Sequence, residues 1–400
     1  MTKGYRYAVI LAALGVSLSG CDWIKSLGKK DNVEPPTPLV EFAPTINVQK
    51  LWTEGAGDGA GDSGARIAPA VVDGKLYAAS VDGEVEAIDA ASGKTIWKKQ
   101  LGERHGWLWK RGDATLRWSG GPGAAGDLFV VGSLDGDVYA LSATDGSERW
   151  HAKVSSEVIS RPAIGADVVV IRTVDGRLTG LDARDGTQHW VFDQSVPPLS
   201  LRGNASPVII GDAVYDGFDN GKISAIRLAD GAPLWSQTLA TGEGRTEVER
   251  LADVDGDIVP SGPNVVAVGY RGQVASIAAD SGRPQWQRDI SSYGGAAVGE
   301  NAVVLADADG NVWAFDKDTG ASLWKQDQLK YRWLGTPAVQ GKYVVVGDSE
   351  GFVHWLSLDE GKFVARERLS KKAIESAPVV VGDTVYIEDV KGHIGAYSVR

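Results

Sequence analysis

Cysteine is almost missing from this chain: Cys21 is the single one in 400 residues. No internal disulfide can form, and no thiolate cluster can hold a metal. Histidine is scarce too, and His105, His151, His189, His354 and His393 do not pair at a metal-ligand spacing. Positive charge is in deficit, with 41 Lys and Arg against 52 Asp and Glu, a net charge of −11 and a pI near 5.1. That balance argues against a basic face for nucleic-acid phosphates. The chain also lacks a G-x-S-x-G elbow, a P-loop and a dinucleotide fingerprint. No acid–base pair is nominated by spacing, so no catalytic residue is assigned. Asp253-Val254-Asp255-Gly256-Asp257 hints at a calcium loop, but Asn264 stands where a bidentate Glu is needed, so no metal is expected. Long helical amphipathic patterns are absent.

Glycine and tryptophan are abundant instead, at 51 and 14 residues. Residues 305 to 324, LADADGNVWAFDKDTGASLW, show the phrase in which they occur. A turn at Gly310 leads into an alternating run, a second turn at Gly320 follows, and a short run ends in Trp324. First-turn glycines recur at Gly83, Gly136, Gly176, Gly221, Gly272, Gly310, Gly351 and Gly392. Second-turn glycines follow at Gly93, Gly146, Gly186, Gly231, Gly282, Gly320 and Gly361, with tryptophan at Trp97, Trp150, Trp190, Trp235, Trp286 and Trp324. In the seventh unit Ala365 takes the tryptophan's place. The period runs from 38 residues (Gly272 to Gly310) to 53 (Gly83 to Gly136). Strand-like repeats of roughly 40–45 residues indicate a β-propeller with one four-stranded antiparallel sheet per unit. The first unit reads as strands near 67–72, 75–80, 84–89 and 94–101. Val, Ile and Tyr enrichment and Gly-bounded turns set those limits. The fixed place of each tryptophan fits docking of one blade on the next.

The ends of the chain carry different signals. Residues 1–20 read as a signal peptide: Lys3 and Arg6 precede a short apolar run, Ala8 to Leu18, that is too short to span a bilayer comfortably. It ends Leu18-Ser19-Gly20-Cys21, which resembles a bacterial lipobox with acylation at Cys21. Cleavage removes two cations, leaving −11 − 2 = −13. Asp22 follows, a residue associated in enteric bacteria with inner-membrane retention. Residues 21–45 read as the acylated cysteine and a tether, in which Pro35, Pro36, Pro38 and Pro44 disfavour helix. Fully extended, residues 22–45 would reach about 80 Å. The propeller is assigned to residues 46–400. Ile46 to Trp52 looks like the end of a repeat without a beginning, and Ala377 to Arg400 like a beginning without an end. Pairing the two closes a ring of eight blades and leaves no open edge.

Three connections break the tight repeat. Gly102 to Gly121 carries Trp107, Trp109 and Trp118, Thr241 to Gly262 is acidic, and Gln194 to Asn204 combines a proline pair with Leu-Ser-Leu-Arg. Ala87 to Trp97 and Ala314 to Trp324 resemble the tryptophan-docking motif of quinoprotein dehydrogenases, so a periplasmic enzyme using pyrroloquinoline quinone is the alternative function. Those motifs are scaffold, and one acylated cysteine cannot supply the vicinal pair many such enzymes use. Lipobox, proline-rich tether, closing strand and eight blades together resemble BamB, the lipoprotein subunit of the outer-membrane β-barrel assembly machinery. The resemblance covers essentially the whole chain. Pro198 to Gly203 is similar to that family's loop contacting BamA, and Thr246 to Asp255 to its neighbouring acidic loop. It implies a non-enzymatic scaffold without a cofactor, lipid-anchored on the periplasmic face of the outer membrane. Such a scaffold binds the POTRA domains of BamA and other subunits as one copy per complex, and assists unfolded outer-membrane clients. Leu199, Leu201, Arg202, Asp253 and Asp255 would form one partner-binding patch. The two leucines would be exposed apolar anchors and Arg202 a planar donor. The aspartates would meet partner cations or hold Arg202 in place.

Overall fold

The computed structural model describes residues 34–61, 63–102, 104–105, 113–114, 117–197, 199, 205–241, 246 and 251–400. Cys21, Asp22, Trp107, Trp109, Leu201 and Arg202 lie outside the described residues. The chain divides into Met1–Pro36, of which residues 34–36 are described, and a body, Thr37–Arg400.

The body is all β, an eight-bladed propeller of four-stranded antiparallel sheets. Blade one comprises Ala70–Val72, Lys75–Ala79, Glu84–Asp89 and Thr95–Gln100, inside the limits read from sequence. Six further meanders follow, each counted from its first inner to its last outer strand residue. They span 118–153, 163–193, 208–238, 259–289, 296–326 and 338–368. The eighth sheet holds Val379–Val381, Thr384–Glu388 and His393–Val399, and its outer strand is Val48–Gly55 from the other end of the chain. That strand pairs antiparallel from Val48↔Val399 to Gly55↔His393. The ring therefore closes as the incomplete repeats at the two ends predict.

The glycine and tryptophan spacing has one geometric cause. Between third and fourth strands the register slips just before each tryptophan, as between Ala87↔Trp97 and Ile88↔Thr95. The bulge leaves Ile96, Leu234 and Leu323 exposed and turns the following indole toward the next blade. Each indole N–H then donates to a carbonyl in the next blade's second turn. Trp97 reaches Ala143 at 3.1 Å, Trp190 reaches Leu228 at 2.8 Å and Trp324 reaches Leu358 at 2.7 Å. The second-turn glycine of that next blade lies flat on the ring. A Cβ on Gly231 would sit 2.7 Å from Trp190, and one on Gly361 would sit 2.4 Å from Trp324. These glycines also have φ near +70°, where a side chain is strained.

Ala365 follows from the same geometry. The eighth blade takes its outer strand from the N-terminus and has no second turn, so it offers no glycine shelf for an indole. The joint between blades seven and eight instead packs Trp355 edge-on against Tyr397, with the Trp355 indole N–H donated to Gln340. Trp52, on the closing strand, supplies the remaining joint, donating to Ala90 at 3.0 Å and lying under Gly93.

The closing seam also collects acid. Glu86 of blade one and Glu388 of blade eight are both buried. Among the described residues, no hydrogen-bond partner meets Glu86 Oε1 or either oxygen of Glu388. Burial pushes Glu86 from 4.5 up to about 7; Lys98 opposes the shift, while Glu84 and Glu54 reinforce it. Burial likewise raises Glu388 well above its ordinary value. A carboxyl that keeps its proton in the fold and loses it in the unfolded chain costs stability as pH rises. For Glu86 the loss runs from about pH 4.5 to about 7 and is complete above that. Urea unfolding should show Glu86→Gln gaining stability relative to wild type between pH 5 and pH 7. A difference that stays constant with pH would contradict this reading.

The stretch read as free tether is partly bound. Residues 37–45 lie along the rim of blade seven. Thr37 N–H donates to Lys330 and Thr45 N–H to Val364, while Arg332 and Arg366 donate to the carbonyls of Thr37 and Val40. Phe42 stacks on Phe363 at 5.4 Å, under the Arg366 guanidinium. Backbone carbonyls that the prolines leave without helical partners are taken up by these arginines. His354, fully buried beneath, accepts from Arg366 at Nδ1 and donates from Nε2 to Asp348, which fixes the neutral tautomer. Burial lowers its pKa further.

Candidate functional site

Loops between blades all start on one face of the ring. Five of them begin with an N–H bonded to a first-turn carbonyl, as Val154 to Gly136, Gln194 to Gly176 and Leu239 to Gly221. The loop between blades three and four and that between four and five are therefore neighbours on that face. Leu199 sits in the first and is 43% exposed, with Val196 exposed beside it. Leu201 and Arg202 fall outside the described residues.

Asp253 and Asp255 sit in the second loop, but they are not on open surface. Asp253 is 0% exposed, and its carbonyl accepts from Tyr270 N–H at 2.7 Å. Val254, also fully buried, presses its carbonyl against Gly217, where a Cβ would stand 2.3 Å away. This close approach draws the acidic segment down onto blade four. Burial raises Asp255 well above the usual carboxylate range, with Asp253 and Asp219 adding to it and Arg66 and Arg172 opposing. An exposed acidic patch is thus replaced by an acidic floor under the loop face.

That floor continues into blades three and four. Arg172 ends the second strand of blade three and Asp216 stands next to last in that of blade four; their side chains pair at 3.4 Å, while Arg172 bonds Asp219 at 3.1 Å. All three are buried, and Arg172 also lies over Phe218 at 4.7 Å. Burial lifts Asp216 to about 8, with Arg172 opposing. Asp257 accepts from Ser206 N–H at 2.8 Å and pairs with Arg161 at 3.4 Å, tying the two loops together. Five carboxyls meet three guanidiniums here, Arg66, Arg161 and Arg172, and the raised Asp216 and Asp255 bring the two charges close to balance near neutral pH. Arg66, Arg161, Asp255 and Asp257 border a cavity of about 420 Å³ on the ring axis, lined from all eight blades.

Residues 47–107, 81–326 and 308–400 match the family described as outer membrane protein assembly factor BamB. The chain belongs to this family. It is 45% identical over 401 residues to BamB of Xanthomonas campestris pv. campestris, across 98% of this chain and 97% of the relative. A crystal structure of BamB from Moraxella catarrhalis matches with a TM-score of 0.78 at 27% identity, covering 88% of this chain and 100% of that one. A quinohemoprotein alcohol dehydrogenase from Pseudomonas putida HK5 matches with a TM-score of 0.69 at 15% identity, covering 89% and 76%. That second likeness is one of fold alone.

Within the BamB fold, two groups escaped sequence reading. The Arg172, Asp216 and Asp219 cluster left a faint trace: most second strands are apolar, as in Ala302–Ala306, whereas Arg172 and Asp216 put charge near the ends of theirs, as Glu388 does in blade eight. The clasp of Arg332 and Arg366 on residues 37–45 left none, because its acceptors are backbone carbonyls. Trp118, read as part of a loop, opens an inner strand and is fully buried, edge-on to Tyr139 at 5.5 Å.

Proposed function

We propose that the chain is a non-enzymatic scaffold of the outer-membrane β-barrel assembly machinery, anchored through acylated Cys21 on the periplasmic face of the outer membrane. It binds the POTRA domains of BamA and assists insertion of outer-membrane β-barrel proteins. Membership of the BamB family supports the assembly role. The observation that supports the contact is Leu199, an apolar side chain held in the open beside a buried acidic floor. Leu199 and Leu201 serve as anchors in a partner pocket. Arg202 serves as a bidentate donor to partner oxygens, and Asp253 and Asp255 serve to position the loop rather than to meet the partner directly.

Mixing the purified chain with the periplasmic part of BamA tests this directly. Size-exclusion chromatography should show one complex containing one copy of each. Separate elution at micromolar concentration would count against the scaffold reading. Fractionation of the acylated protein between the two membranes tests the outer-membrane placement, against which Asp22 stands.

A further inference from the structure

We infer that the loop joining blades six and seven rests on the phospholipid surface, through Trp333 and Tyr331. Trp333 is 60% exposed, the largest value for any big apolar side chain among the described residues, and Tyr331 is 41% exposed. Both stand at positive φ, +49° and +59°, where an aromatic residue is seldom found. The loop is built to hold them there. Leu329 is fully buried, Tyr331 N–H donates to Asp309 at 2.9 Å, and Arg332 between the two rings is drawn inward. The Arg332 guanidinium bonds Asp348 at 2.8 Å and pairs with Glu350. One buried arginine thus projects two rings outward, and backbone strain kept at an exposed aromatic pair marks a binding feature.

The position of the loop selects the partner. Thr37, where the bound stretch of the N-terminal segment begins, is fastened to this same loop. Its N–H meets Lys330 at 3.1 Å, and its carbonyl takes Arg332 at 3.0 Å. Sixteen chain steps separate Cys21 from Thr37, a reach of about 55 Å at most, against about 80 Å for a tether free to residue 45. The bilayer is therefore the surface held close to Trp333 at high effective concentration. Reach counts only if Cys21 is acylated, as proposed above. Trp and Tyr suit the headgroup level because each joins an apolar ring to a polar N–H or O–H. The chain is acidic overall, so contact with an anionic leaflet rests on ring insertion and varies little with salt.

Two experiments on the full chain decide this. A photoreactive benzoylphenylalanine in place of Trp333, in the acylated protein in its native membrane, should crosslink phospholipid. The same group in place of Leu234, on the outer strand of blade four, should not. Acylation of Cys21 is measured in the same sample, which separates loss of the anchor from loss of the contact. Second, the chain carrying Cys21→Ser is sedimented with phosphatidylethanolamine and phosphatidylglycerol vesicles at low and high salt. Combining Tyr331→Ala with Trp333→Ala should weaken binding about tenfold or more, with an unchanged melting temperature, and Trp333→Phe should retain most of it. Crosslinks from position 333 to protein alone would overturn the inference and make this loop a protein contact. Equal vesicle binding by the double variant would overturn it too, whatever the state of Cys21.

Discussion

Trp52→Ala lowers the unfolding free energy by about 3–5 kcal/mol, the range for deleting a buried tryptophan. Urea unfolding reads it as an earlier midpoint with an unchanged slope. Three contacts go together. The indole N–H loses Ala90, the ring loses Tyr386 at 5.9 Å, and Gly93 is left above a void that its own backbone cannot fill. The site is also the seam of the ring, where the N-terminal strand is paired with His393–Val399 along one edge. Ile96→Ala is the control. It removes an exposed apolar residue at an outer-strand bulge, and should change stability by less than about 1 kcal/mol. Comparable small effects at both positions would mean that the tryptophan joint does not hold the blades together.

Substituting Leu199→Glu and Arg202→Ala together abolishes capture of BamA while leaving the melting temperature within a degree or two of wild type. A charge on an exposed apolar anchor must be desolvated on binding, which alone weakens an interface by tenfold or more, about 1.4 kcal/mol. Leu199 is 43% exposed and belongs to none of the buried apolar clusters among the described residues, so the fold has little to lose. Asp253→Asn behaves differently. Asp253 is fully buried in the loop drawn onto blade four, so its replacement lowers stability and binding together. The pair of variants distinguishes a residue that touches the partner from one that positions the loop.

Much of this architecture is readable from sequence because each element has a local cause. Second-turn glycines and tryptophans at fixed spacing report one joint repeated around the ring, and Ile46 to Trp52 reports its closure. Ala365 looks like a lapse until the eighth blade is seen to lack the turn on which an indole would lie. What could not be read was long-range. Residues 37–45 are proline-rich and polar enough to pass for a free tether, and only the fold brings Arg332 and Arg366 to their carbonyls. Asp253 and Asp255 were expected at the surface because five residues in a row carry three acids. Val254 and Gly217 instead pack the segment down, burying Asp253 and leaving Asp255 half-buried. Charge in a sequence does not reveal whether it faces water when a neighbouring blade supplies the arginine.

Photocrosslinking from position 199 in intact cells tests the central claim most directly. A photoreactive residue there should yield a single major adduct with BamA, mapping to its POTRA domains, while one at Leu323 on the outer rim of blade six yields none. Adducts with BamA from Leu323 but not from position 199, or no adduct from either while the chain remains folded and membrane-bound, would contradict it.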